Sequence, residues 1–250
     1  MKTVVFSNHK GGVGKSVLGV HQAFFLSDQG KKVLFIDLDP QGNSSKTLSN
    51  FDTGIEAFEM FGEQFRFPDT EPESGTISLI RASRKLTDLD SKPLQDVVGS
   101  FIRSLKIVAE KFDVCVIDTP PTFGVRMTAA LMGATHVVAP IEMEEYSIDG
   151  IVELLSLIRQ IRSRFNQNLQ MVGMLVNRLD RRSAEQRAAL AEIQRDHGKL
   201  LIPAQIGLRT AIPRAITQKQ PVWSLKTTAA RSAAREMNAA LSYIHEKMGV

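Results

Sequence analysis

At 250 residues, 43% hydrophobic and 23% charged, the chain has enough apolar sequence for one sizeable core, and one α/β domain spanning 1–250 is the default. No apolar run reaches the roughly 18 residues that a membrane helix needs, and the N-terminus enters a strand without a signal-peptide layout. The single cysteine, Cys115, excludes an intramolecular disulfide and, lying within an apolar run, reads as packing, so the expected setting is reducing and cytoplasmic.

Charge is unevenly placed. Residues 1–150 hold 15 Lys and Arg against 20 Asp and Glu, a net of −5, whereas residues 151–250 hold 16 against 7, a net of +9. A basic C-terminal part fits a surface for a polyanion, and equally a set of solvated helix faces.

Taken in order, Val4-Val5-Phe6 reads as a short buried strand and Val17 to Leu26 as a helix. Between them lies His9-Lys10-Gly11-Gly12-Val13-Gly14-Lys15-Ser16. Strand, glycine loop and helix in that order make a phosphate loop: backbone N–H groups converge on one concavity, and the helix N-terminus adds partial positive charge. Lys15 is placed to reach the β- and γ-phosphates and Ser16 to hold Mg²⁺, with Gly11, Gly12, Val13, Gly14 and Val17 lining the nucleotide. The loop departs from the general pattern in carrying His9 where glycine is usual, and a second lysine, Lys10.

Lys31 to Ile36 is a second strand, ending in Asp37-Leu38-Asp39-Pro40-Gln41-Gly42-Asn43. Carboxylates at a buried strand end need a metal, water or ligand, or else they cap the next helix. Residues 52–93 are less legible: Phe51 to Phe67 reads as helix plus loop, Pro68 to Gly75 as exposed loop, and Ile77 to Ile80 as a short strand. Leu94 to Phe112 has helical spacing. Asp113 to Asp118 is an apolar strand ending in a carboxylate, followed by Thr119-Pro120-Pro121. Thr135 to Pro140 and Met171 to Val176 are further strands. Helices follow at Ile148 to Phe165, Ser183 to Asp196 and Ala229 to Met248, the last with Ala233, Met237, Ala240, Leu241, Ile244 and Met248 on one face. Strands alternating with helices imply a mostly parallel twisted sheet with helices on both faces and a nucleotide at the strand C-terminal ends.

The segment Lys10 to Ser16 resembles the deviant Walker A motif of the ParA/MinD family of partitioning ATPases, most like ParA without an N-terminal helix-turn-helix domain. Ile36 to Asn43 and Asp113 to Pro121 resemble its next two nucleotide motifs. The resemblance implies a P-loop ATPase of weak intrinsic activity, with ATP and Mg²⁺ as cofactors. It implies that Lys10 crosses a dimer interface to the partner subunit's nucleotide, that Asp39 orients the attacking water, and that Asp37 and Asp118 support the metal. Glu144 resembles a position near the interface and ribose, and Asn177 one that reads the adenine edge.

By the same resemblance the expected role is plasmid or chromosome partition. An ATP-dependent homodimer would bind DNA without sequence specificity, associate with the nucleoid, and be stimulated by a ParB-like centromere-binding protein. Arg209, Arg214, Lys219, Lys226, Arg231 and Arg235 are candidate DNA contacts, with Arg178, Arg181 and Arg182 as the alternative set. The competing reading is a MinD-like or cargo-positioning ATPase serving a membrane, a chemotaxis cluster or a protein compartment. A membrane anchor is not expected, since the final helix lacks bulky apolar residues and a dense basic face.

Overall fold

The computed structural model describes residues 1–143 and 147–250. β1 (Lys2–Phe6) leads through the glycine loop into α1 (Lys15–Asp28), and β2 (Val33–Asp37) is followed by α2 (Asn43–Thr47) and β3 (Asp52–Glu56). β4 (Ile77–Arg81), α3 (Leu94–Ala109), β5 (Val114–Asp118), α4 (Val125–Gly133) and β6 (His136–Ile141) come next. The remainder is α5 (Ser147–Arg164), β7 (Gln170–Leu179), α6 (Ala184–His197), β8 (Leu201–Gly207), α7 (Ala211–Thr217) and α8 (Thr228–Met248).

The eight strands form one sheet in the order β3-β4-β2-β5-β1-β6-β7-β8, and every pairing is parallel. The central strands β1, β2, β5 and β6 are largely apolar because both faces are covered. Successive residues of β1 show why: Val4 and Phe6 pack in the cluster holding α1, α7 and α8, while Val5 packs with α3, α4, α5 and α6. Phe6, Phe35 and Phe101 are fully buried, each worth about 1.5–3 kcal/mol of transfer free energy. The face read for the last helix, Ala233 to Met248, is buried against this sheet.

β1 sits between β5 and β6. The chain reaches β2 and β4 on one side of β1 and β6, β7 and β8 on the other. The loops leaving β1, β2 and β5 therefore open on a shared crevice at the C-terminal edge, where ligands of such sheets bind.

β3, α2, α4 and β8 were not read from the sequence. β3 is an edge strand with the polar composition Asp-Thr-Gly-Ile-Glu, half exposed, so it has no alternation to detect. α2 spans five residues, too short for a period. α4 follows directly on the turn after β5, and β8 carries Pro203 in a mixed sequence. The stretch from Phe51 to Phe67 is a 3₁₀ turn, this strand and a second 3₁₀ turn rather than a helix and loop.

Candidate nucleotide site

The loop from Asn8 to Gly14 is bent into a cradle by local constraints. Asn8 bridges two strands' ends: its Nδ2 donates to the Pro140 carbonyl at 2.7 Å, and its Oδ1 accepts from the Lys10 N–H at 2.9 Å. Gly12 and Gly14 have φ of 85° and 92°, which side-chain-bearing residues rarely adopt. Gly14 precedes α1 with no side-chain cap, so the first-turn N–H groups of that helix stay available to an anion.

Lys15 is 6% exposed and its Nζ donates to the Lys10 carbonyl at 3.0 Å. Burial lowers its pKa, opposed by attraction to Asp118 and Asp39. This buried ammonium makes one hydrogen bond with its three donors, so phosphate oxygens could take the others.

The carboxylates converge from β2, β5 and the turn between β2 and α2. Asp37 pairs with Asp118 across the sheet. Asp37 Oδ1 accepts from the Asp39 N–H at 3.1 Å, and its Oδ2 from the N–H and hydroxyl of Ser45 at 2.8 and 2.7 Å. Ser45 Oγ in turn accepts the Ala82 N–H at 2.8 Å. Asp37 thus fastens the turn and the start of α2 to the sheet. Desolvation first, and then the Asp118 charge, push its pKa up. Asp118 is also pushed up by desolvation, held back by Ser16 and Ser44 hydroxyls. Asp39, 7% exposed, lines the cavity and accepts from the Gln41 N–H at 3.0 Å.

One oxygen answers the question of metal fit. Asp118 Oδ2 accepts from Ser44 Oγ at 2.7 Å, but Asp118 Oδ1 is buried without a partner. A lone carboxylate oxygen beside Ser16, in a cluster of three aspartates, is costly unless a cation or its water meets it. Among the described residues no three His, Cys, Asp or Glu side chains form a self-sufficient metal cage. Mg²⁺ keeps several waters and takes few protein ligands beside phosphates. Asp118, not Asp37, has the open oxygen.

A cavity of about 640 Å³ runs from Gly11, Gly12, Gly14, Lys15 and Ser16 past Asp39 and Gln41 to Lys46, Thr47, Ile216, Thr217 and Lys219. Asn177, buried at the end of β7, donates from Nδ2 to the Val13 carbonyl at 2.8 Å. Its neighbour Arg178, with φ 55°, donates to the Gly12 carbonyl at 3.2 Å and lies 3.4 Å from Glu142. His9 stacks on Phe123 with ring centroids 4.7 Å apart. Glu144 lies outside the described residues.

The candidate DNA contacts separate. Lys219, with φ 53°, donates to Ser49 Oγ at 2.7 Å and borders the nucleotide cavity. The Arg209 guanidinium is engaged in a bidentate pair with Glu236. Arg214, Lys226, Arg231 and Arg235 are exposed. Arg181, Arg182 and Arg209 border a second hollow of about 430 Å³ at the ends of β7 and β8. The sequence reading passed over Ser44, Ser45, Lys46 and Thr47. The only signal was two serines following Gly42-Asn43, a pattern that any helix start shares.

A glycine cradle at the switch point of a parallel sheet, a buried loop lysine and a strand-end aspartate with an open oxygen define a P-loop nucleotide-binding protein. The additional Lys10 makes its Walker A loop the deviant kind. Residues 1–171 match the AAA domain family model. Protein IncC of Escherichia coli is 40% identical over 258 residues, covering all of this chain and 71% of IncC. The sporulation initiation inhibitor protein Soj of Bacillus subtilis (strain 168) is 31% identical over 196 residues, 73% of this chain and 74% of Soj. The chain belongs to the ParA family of deviant Walker A partition ATPases. A solved Cyanothece McdA variant in complex with ATP shares the fold, with a TM-score of 0.82 at 22% identity over 97% of this chain and 96% of that one.

Proposed function

We propose that this chain is a partition ATPase in which ATP and Mg²⁺ join two copies into a sandwich dimer. The observation that carries the reading is Lys15, buried within the attraction of Asp118 and Asp39 at a helix N-terminus, with one hydrogen bond for its three donors. Within one subunit the loop N–H groups and Lys15 bind the β- and γ-phosphates. Ser16 and Asp118 hold the cation, which when bound neutralises charge building on the phosphate oxygens. Asp39 orients water toward the γ-phosphate. Lys10 reaches the nucleotide of the partner subunit, so hydrolysis and dimer dissociation are linked.

With Arg181 and Arg182 at the same sheet edge as the nucleotide, a dimer would carry two such pairs. Doubling the phosphate contacts converts weak, sequence-tolerant DNA binding into retention on the nucleoid. A ParB-like protein then supplies centromere specificity and stimulates turnover. The MinD-like alternative needs an amphipathic helix free to meet a membrane. The apolar face of α8 is buried against the sheet, and no described helix is long and apolar enough to cross a membrane.

The experiment is light scattering with chromatography, with Mg²⁺ and a non-cleavable ATP analogue. A dimer is expected for the wild type and a nucleotide-bound monomer for Lys10→Ala. A wild type that stays monomeric under these conditions overturns the proposal.

A further inference from the structure

Two neighbouring serines in α2 grip two different aspartates. Ser45 serves Asp37, as described above. Ser44, 1% exposed, donates to Asp118 Oδ2 at 2.7 Å, and Asp118 itself is fully buried. We infer that Ser44 is a positioning residue for the divalent cation: its hydroxyl fixes the Asp118 carboxylate by one oxygen, so that the other is presented to the cation or to one of its waters. The inference rests on the Mg²⁺–nucleotide reading above.

Three features support it. The carboxylate is asymmetric, with Oδ2 occupied and Oδ1 buried and unpartnered. That asymmetry is what a fixed metal ligand needs, because a carboxylate whose plane is unheld can rotate both oxygens about χ2. Second, the donor is anchored independently of its acceptor. The next residue, Ser45, is tied to Asp37 and to the Ala82 N–H, so Ser44 is held in place by the β2 and β4 ends rather than by Asp118. Third, the hydroxyl performs no capping duty, since Gly42 stands at the N-cap of α2 without any side-chain cap.

The geometry also links α2 to the cation. Asn43, Lys46 and Thr47 of α2 line the nucleotide cavity, so the helix that borders the ligand is the one that orients the metal's carboxylate. Losing a supporting hydrogen bond of this kind lowers metal affinity by about 10- to 100-fold.

The test is a fluorescence titration of a mant-labelled, non-cleavable ATP analogue against wild type and Ser44→Ala, in EDTA and over a range of Mg²⁺. A melting curve for each protein checks the fold. The expected result is equal affinity in EDTA, and about 10-fold or more Mg²⁺ needed by Ser44→Ala to reach half of the cation-dependent gain. Mn²⁺ binding followed by electron paramagnetic resonance in the presence of the analogue should weaken by the same factor. An unchanged or tighter cation dependence in Ser44→Ala overturns the inference, as does an equal loss of affinity in EDTA, which would make the serine merely structural. If the wild type binds the analogue with no gain from Mg²⁺, the cation reading itself fails, which is a separate outcome.

Discussion

The amide of Asn177 occupies the space in which Gly14 would carry a side chain: a Cβ built on Gly14 would lie 2.2 Å from Asn177 Nδ2. Gly14 also has φ 92°, so alanine there meets both backbone strain and a collision. Gly14→Ala is expected to cost about 1–3 kcal/mol of local strain and to displace Asn177 from the Val13 carbonyl. Nucleotide affinity measured by calorimetry should fall at least about tenfold, since 1.4 kcal/mol is one decade. The double variant Gly14→Ala/Asn177→Ala should lose less than the two single losses combined, because the collision is then gone. Full additivity would show that Asn177 and Gly14 act independently.

Asp39 is held against the cavity by its own turn, with its carboxylate accepting the Gln41 N–H. Asp39→Ala removes the group assigned to the attacking water but leaves Lys15, Ser16 and Asp118 in place. ATP affinity should therefore survive while steady-state hydrolysis, followed by phosphate release, falls on the order of 10²-fold. The dimer should accumulate with ATP itself, whereas the wild type is expected to require a non-cleavable analogue. Unchanged turnover would remove Asp39 from the mechanism.

His21 lies wholly buried in α1, and both of its ring nitrogens are used. Nδ1 meets the Val17 carbonyl at 2.7 Å, so it carries the proton, and Nε2 accepts the Val222 N–H at 3.2 Å. Burial lowers its pKa from 6.5 to about 4. The unfolded chain then binds more protons than the folded one between these values. Stability from this residue is complete above about pH 6.5 and is lost as pH falls toward 4, a range of about 3 kcal/mol. The raised carboxylates Asp37 and Asp118 act with the opposite sign, because the folded state there holds protons more tightly. The clean measurement is the difference in urea stability between wild type and His21→Gln across pH 4.5 to 7. The gap should narrow as pH falls, and a constant gap would refute the assignment.

The phosphate loop, the two strand-end aspartate segments and the alternating strand–helix order were legible because each rests on a local pattern. A glycine loop between a strand and a helix has few other uses, and strands buried on both faces read as apolar runs. What escaped was set by contacts distant in sequence. Ser44 meets Asp118 across 74 residues, and Asn177 meets Val13 across 164. Arg178 is an ordinary arginine in sequence, and only the fold shows it in a left-handed conformation against the Gly12 carbonyl. The charge count located the basic part of the chain but could not separate arginines by partner. Arg209 proves engaged with Glu236, and Lys219 faces the nucleotide cavity.

The proposed DNA binding makes a prediction about which basic groups would meet the polyanion, because the sheet edge positions them differently. β7 and β8 are parallel neighbours, so their C-terminal ends bring Arg181, Arg182 and Arg209 together on the edge that carries the phosphate loop. α6 runs away from that edge with Arg195 in its last turn; Arg182 and Arg195 each pair with a nearby aspartate, Asp180 and Asp196, so placement and not pairing separates them. Arg181→Ala/Arg182→Ala should therefore weaken ATP-dependent retention on non-specific DNA. The slope of log affinity against log salt should flatten by about one for each phosphate contact removed per binding unit. Arg195→Ala should leave both affinity and slope unchanged. Dimer formation with the non-cleavable analogue should survive in all variants, which separates DNA contact from the nucleotide switch. An unaltered salt slope in the double variant would move the DNA surface to the exposed set Arg214, Lys226, Arg231 and Arg235 on and beside α7 and α8.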